Sequence, residues 1–82
     1  MTHETLILST LDSLFVLHGV NAEVDASAIA RRIGTSPTRV AEALLHLEGK
    51  GLVDATKARL TLAGLSAAAA FAAHREMKAH AA

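Results

Sequence analysis

The feature that most constrains this 82-residue chain is a pair of short helix patterns near its centre. The first pattern starts at Asp25, which suits an N-cap, with Val24 and Ile29 placed as the two halves of a hydrophobic staple. It stops at Gly34, because glycine readily takes the left-handed conformation that follows a helix. These signals predict a short helix that needs little help from the rest of the chain to define its ends.

The second helix pattern follows after a tight turn. Ser36 suits its N-cap, and Pro37 suits its first position, where a missing N–H removes no helical hydrogen bond. Its predicted core face consists of Val40, Ala41, Leu44 and Leu47. Gly51 is expected to end it in a Schellman turn, with Leu52 folding back on Leu47. Two helices joined in this way, the second leading into a strand, predict a helix-turn-helix.

A further helix is predicted before this unit, from Thr5 to about His18, with residues 1–4 frayed. Its predicted core stripe is Ile7, Leu11, Leu14 and Phe15. Other apolar residues fall outside the stripe, namely Leu6, Leu8, Val16 and Leu17. A helix that is apolar on more than one side is usually buried on more than one side, here either by the C-terminal helix or by a second copy of the chain.

The second half of the chain predicts a hairpin and a last helix. Alternating apolar and polar residues indicate strands at 52–56 and 59–63, with a turn near Lys57 and Ala58. The turn lacks an Asn-Gly or Asp-Gly pair, so the register is not specified by turn residues. An Ala-rich segment from about 64 to 80 predicts a helix with Phe71 as its anchor and a smooth face of Leu65, Ala68, Ala69 and Ala72.

The order of these pieces resembles that of winged helix-turn-helix domains, and in particular small bacterial regulators of the MarR type. The resemblance is carried by IARRIGTSPTRVAEALLHLEGKGLV followed by ARLTLAGL. It implies a mainly α single domain over residues 1–82, with a three-helix core, a short hairpin wing and a C-terminal helix. The helix-turn-helix would span about 25–50, the wing about 52–63 and the last helix about 64–80, with a short strand at 20–24 beside the wing.

In that family the second helix of the motif enters the major groove of duplex DNA, so the segment from Ser36 to about Lys50 would be the recognition helix. Arg39 is the best candidate for a bidentate guanine contact, and Thr38 for a base or phosphate contact. The resemblance implies a DNA-binding surface made of Arg31, Thr35, Ser36, Pro37, Thr38, Arg39, Glu42, His46, Lys57 and Arg59.

Other members of this surface would contact the phosphate backbone of the DNA. Thr35 and Ser36, with the amides at the helix start, would hold a phosphate. Lys57 and Arg59 on the wing would contact the DNA backbone or a minor groove, and Arg31 would face the backbone from the first helix of the motif. For Arg32 and Lys50, contact with DNA competes with a simpler interpretation, in which each is an ordinary solvated surface charge.

Composition limits the function. Eight basic and eight acidic residues cancel, which disfavours strong non-specific nucleic-acid binding. Two phenylalanines are the only aromatic residues of the Phe, Tyr and Trp class, which disfavours single-strand readers that stack bases on aromatic rings. Cysteine is absent, so disulfides and thiolate chemistry are excluded, as fits a cytoplasmic protein. The apolar run 6–20 lacks a basic start and a cleavage site, so it is interpreted as a core helix.

The recognition helix departs from the family pattern in a way that keeps a second function open. Arg39 is offset by Glu42, and Leu45 and His46 stand where further basic residues are common in this family. Leu45 could therefore belong to a protein-binding surface, because winged helices also serve as interaction modules. Homodimerisation through the first and last helices is the expected assembly, and closure of the monomer core by the last helix is its alternative.

Catalytic and metal chemistry are not expected. The chain has no Gly-x-Ser-x-Gly elbow and no Gly-rich phosphate loop, so an enzyme is not predicted and no cofactor is expected. His74 and His80 are six residues apart, and the other three histidines are scattered, so surface positions are expected for all five. A metal site would need histidines brought together across a dimer with Glu76 or Asp12. A ligand- or metal-responsive sensor is the third hypothesis.

Overall fold

The computed structural model describes residues 2–19 and 24–81, with side chains up to residue 74. Within these ranges the fold is mainly α with one small antiparallel hairpin, as predicted. The elements are α1 His3–Gly19, α2 Ala26–Ile33, α3 Pro37–Gly49, β1 Val53–Asp54, β2 Arg59–Leu60 and α4 Leu62–Ala81. Helix α1 packs against each of the other three helices, and α2 packs against α3.

The predicted ends of α2 and the start of α3 are confirmed. The Asp25 carboxylate accepts a hydrogen bond from the Ala28 N–H at 2.8 Å. Gly34 follows α2 with φ of 77°, the left-handed conformation that favours glycine. The Ser36 hydroxyl accepts from the Arg39 N–H at 3.3 Å, with Pro37 as the first helical residue. Side-chain caps therefore satisfy amides that an α-helix leaves unpaired at its start.

The end of α3 is the predicted Schellman turn. Gly51 has φ of 77°, its N–H donates to the Glu48 carbonyl at 2.9 Å, and the Leu52 N–H donates to the Leu47 carbonyl at 3.0 Å. One residue of the predicted core face is wrong, because Ala41 is exposed and Ala43 is fully buried. The buried side runs through positions 40, 43, 44 and 47, which is the spacing of one helical face.

Helix α1 differs from the prediction at its start and in its buried side. Residues 2–4 are ordered rather than frayed, because the Thr2 hydroxyl accepts from the Thr5 N–H at 3.1 Å. Position 1 lies outside the described residues. The predicted stripe is only partly right, since Ile7 and Phe15 are half-buried whereas other members of α1 are buried, namely Leu6, Thr10, Leu11, Ser13 and Leu14. Neighbours on several sides of α1, not one apolar stripe, decide which residues are covered.

Thr10 shows how a polar residue can be buried where α1 packs against the other helices. Its side chain is fully buried, and its hydroxyl donates to the Leu6 carbonyl at 2.8 Å. A hydroxyl that bonds to its own helix needs no water, so its burial carries only a small desolvation cost. Periodicity of apolar residues cannot detect such a position.

The hairpin is shorter than predicted, with Val53 opposite Leu60 and Asp54 opposite Arg59. Side chains supply the turn geometry that the missing Asn-Gly pair would have given. The Asp54 carboxylate accepts from the Thr56 N–H at 3.1 Å, and the Glu48 carboxylate accepts from the Ala55 N–H at 3.0 Å. Residues 20–23 of the predicted neighbouring strand lie outside the described residues, and residue 24 is not in a strand.

Helix α4 begins at Leu62 rather than near residue 64, because Thr61 caps it: the Thr61 hydroxyl accepts from the Gly64 N–H at 3.0 Å. It packs on α1 within the same chain, with Ala68 fully buried. The predicted smooth face is confirmed at Ala68, whereas Ala69 is exposed. The core between the helices and the hairpin contains Leu11, Leu14, Ile29, Ala30, Val40, Leu44, Leu47, Val53, Ala58 and Ala68.

Candidate nucleic-acid interface

The outward side of α3 is the first candidate surface. Because Val40, Ala43 and Leu44 face the core, the opposite side of the helix projects into solvent. The predicted reading residues Ser36, Pro37, Thr38, Arg39, Glu42 and His46 are all exposed, and Thr35, in the turn before the helix, is half-buried. This side of α3 carries Arg39 and Glu42, whose charges cancel.

The start of α3 offers fewer free amides than the sequence suggested. Pro37 has no N–H, the Arg39 N–H is held by the Ser36 hydroxyl, and the Thr35 N–H donates to the Ala30 carbonyl at 3.0 Å. An anion at this helix start would therefore compete with the cap already present. The hydroxyl of Thr38, one residue into the exposed turn, is better placed for an outside partner.

A cleft of about 680 Å³ collects most of the positive charge that the sequence assigned to the interface. It lies between the end of α1, the start of α2 and the hairpin. Arg31 reaches it from α2, and Lys57 and Arg59 reach it from the hairpin. These three cationic side chains face one carboxylate, that of Asp25, and His18 also lines the cleft. Among the described residues, the cleft therefore combines three positive charges with one negative charge, in a chain whose formal net charge is zero.

An apolar groove of about 420 Å³ lies on the other side of the hairpin turn. Its walls are one flank of α3, with Ala41, Leu45 and Glu48, and the hairpin turn, with Ala55 and Ala58. Leu45 is 62% exposed at the edge of this groove. The groove adjoins the basic cleft, because four residues line both, namely Val24, Asp25, Lys57 and Ala58.

The opposite flank of α3 carries a histidine pair. The rings of His3 and His46 lie edge to face, with their centroids 5.4 Å apart and an angle of 87° between their planes. The expectation that His3 and His46 are scattered is therefore wrong for these two, because the start of α1 packs beside α3. His80 and Glu76 fall beyond the described side chains. Among the described residues, no group of three or more histidine, cysteine or acidic side chains could hold a metal ion.

The predicted interface is thus divided in two. Arg31, Lys57 and Arg59 come together at the basic cleft, whereas Arg39 and His46 lie seven residues apart on a common side of α3. Arg32 and Lys50 are exposed and do not line the cleft. Sequence reasoning found every cationic residue of the cleft but not its histidine, His18.

Two contributions to these surfaces were not predicted from the sequence. Glu48 positions the hairpin turn by accepting from the Ala55 N–H, a role for which the sequence analysis found no signal. His18 reaches the cleft because the end of α1 lies near the hairpin, which no local pattern indicates.

No helix in the described part of the chain has both the length and the hydropathy to cross a bilayer. Comparison with known proteins does not add to this picture: neither family models, nor curated proteins, nor solved structures gave a match.

Proposed function

We propose that this protein is a winged helix-turn-helix regulator that binds duplex DNA, with α3 in the major groove and the hairpin acting as the wing. The observation that carries the proposal is the basic cleft, where Arg31 from α2 meets Lys57 and Arg59 from the hairpin. A protein with zero net charge gains affinity for DNA only where its cations are concentrated. In this proposal the cleft holds backbone phosphates and α3 reads the bases.

Arg39 has the central reading role in this proposal. Its side chain is exposed on the first turn of α3, and its backbone N–H is fixed by the Ser36 cap. A guanidinium held on a rigid helix suits bidentate recognition of guanine, and Glu42 one turn later suits the amino group of cytosine. The protein would act as a homodimer that joins two half-sites through α1 and α4, where Leu8 and Leu62 remain 41% and 86% exposed.

Selection of binding sequences from a random duplex library at low salt, followed by titration of the selected duplex, tests this function. Arg39→Ala should weaken binding to the selected sequence by about 1–3 kcal/mol and relax its sequence preference. Lys57→Ala should weaken binding to all sequences and lower the salt slope by about one. Arg32→Ala is the matched control, because Arg32 is exposed outside the cleft. Equal losses for Arg32→Ala and Arg39→Ala would contradict the assigned reading role.

A protein-interaction module is the second candidate function, and the exposed Leu45 beside the apolar groove favours it. A partner that placed an apolar side chain in this groove would bury Leu45 and bind with little dependence on salt, whereas DNA binding must weaken as salt rises. Amide NMR spectra during a DNA titration separate the two functions. Shifts at 35–42 and 57–59 that added salt reverses support DNA binding, and an unmoved α3 supports a protein partner.

A further inference from the structure

We propose that His3 and His46 together bind one divalent transition-metal ion where the start of α1 meets α3. The two rings come from positions far apart in sequence and lie side by side, with centroids 5.4 Å apart. Both side chains are exposed, so an ion can reach the pair from solvent. Nothing in the helix-turn-helix motif itself requires a histidine at position 3.

The separation of the rings matches what a shared ion needs. Two imidazoles on one tetrahedral zinc ion, each with a Zn–N distance of about 2.0–2.1 Å, have ring centres roughly 5 Å apart. An edge-to-face arrangement leaves the two rings in different planes, which a tetrahedral ion accepts because its ligands point in different directions. The proposal requires the two exposed side chains to rotate so that one nitrogen of each ring points at a common ion.

The donor set indicates which ions bind. Imidazole nitrogen suits zinc, nickel and copper, and it is a poor ligand for magnesium or calcium. Because no third protein ligand joins the pair among the described residues, water completes the coordination, and the affinity follows the order in which Cu²⁺ exceeds Ni²⁺ and Zn²⁺.

Metal binding at this pair has a structural consequence. The two histidines meet only when α1 and α3 are packed together, so the ion binds the folded chain more tightly than the unfolded chain and stabilises it. It also adds positive charge to a side of α3 on which Arg39 and Glu42 cancel. The added charge matters only under the proposed function, in which that side of α3 faces DNA. The stabilisation of the folded chain does not depend on the proposed function.

The experiment uses untagged full-length protein without DNA, so its outcome is independent of the proposed function. Thermal unfolding is followed with increasing Zn²⁺ or Ni²⁺, and the imidazole signals of the histidines are followed by NMR. The expected result is a saturable rise in melting temperature, with metal-induced changes confined to the signals of His3 and His46. Mg²⁺ at the same concentrations should have no such effect.

Variants decide whether the pair is the site. His3→Ala and His46→Ala should each weaken apparent metal affinity by on the order of tenfold or more, since even lost outer-shell partners cost about that much. His74→Ala is the matched control, because His74 is also exposed but lies on α4. Equal affinity in His3→Ala, His46→Ala and the unmodified protein would overturn the proposal, as would the absence of saturable binding, which would leave the contact as ring packing alone.

Discussion

The segment 25–52, which contains α2 and α3, and the junction at which Thr61 and Gly64 meet Leu52 are held together in different ways. In the first, each cap bonds to an amide three residues away, as Asp25 does to Ala28. In the second, the contacts that tie the start of α4 to the end of α3 join residues nine to twelve apart, as with the Thr61 N–H and the Leu52 carbonyl at 3.0 Å. The comparison teaches that short-range signals define helix ends, whereas the placement of α4 depends on contacts that form only in the folded chain.

The junction concentrates several contacts on a few backbone atoms. The Leu52 N–H closes the turn at the end of α3, and its carbonyl accepts from the Thr61 N–H. The Thr61 hydroxyl donates to the Gly51 carbonyl at 2.7 Å and accepts from the Gly64 N–H. Gly64 is buried directly against the Leu52 carbonyl. Thr61 and Gly64 therefore have distinct physical roles: Thr61 caps α4, and Gly64 lets α4 approach the end of α3 closely.

Of the three substitutions that test this comparison, Gly64→Ala is expected to lower the free energy of unfolding most. A Cβ at position 64 would overlap the Leu52 carbonyl oxygen, a backbone atom that cannot turn away, so the free energy of unfolding should fall by about 3 kcal/mol or more. Urea denaturation followed by circular dichroism measures it. Gly49→Ala is the control, because a Cβ there meets nothing within 4 Å; it should stabilise the protein by up to about 1 kcal/mol. Equal stabilities for the two variants would refute the close approach of α4.

Thr61→Val tests the junction without changing its shape. The substitution removes the hydroxyl that bridges the Gly51 carbonyl and the Gly64 N–H, which should cost about 1–2 kcal/mol of unfolding free energy. Thr56→Val, at an exposed position of the hairpin turn, should change the unfolding free energy by less than about 0.5 kcal/mol. A loss at position 61 no larger than that at position 56 would show that the bridge contributes nothing.

Asp25→Ala tests the segment 25–52 and should lower the free energy of unfolding least of the three substitutions. It removes one N-cap from α2, at a cost of about 1 kcal/mol, while the packing of Ile29 remains intact. Ser27→Ala, exposed within the same helix, is the control and should be close to neutral. Thermal unfolding of both variants gives the difference, and a cost for Asp25→Ala above that for Gly64→Ala would reverse the comparison.

In the candidate interface, too, some features follow from local sequence signals and others only from tertiary packing. The exposure of Arg39 and Glu42 followed from the apolar spacing of α3, since residues opposite a buried face must be in solvent. The grouping of Arg31 with Lys57 and Arg59 needed the packing of α2 beside the hairpin, so the sequence predicted these cations without predicting that they share one cleft. The meeting of His3 with His46 had no signal in the sequence at all.

The sequence by itself determined where α2 and α3 begin and end, because capping and left-handed glycines act over three or four residues. It also determined that the protein is mainly helical with a hairpin. Only the tertiary structure decided that Thr10 and Ser13 are buried in α1, that Glu48 holds the hairpin turn, and which charged side chains meet. The reason is that burial and clustering depend on which surfaces the helices present to one another, and a local pattern carries no record of its distant neighbours.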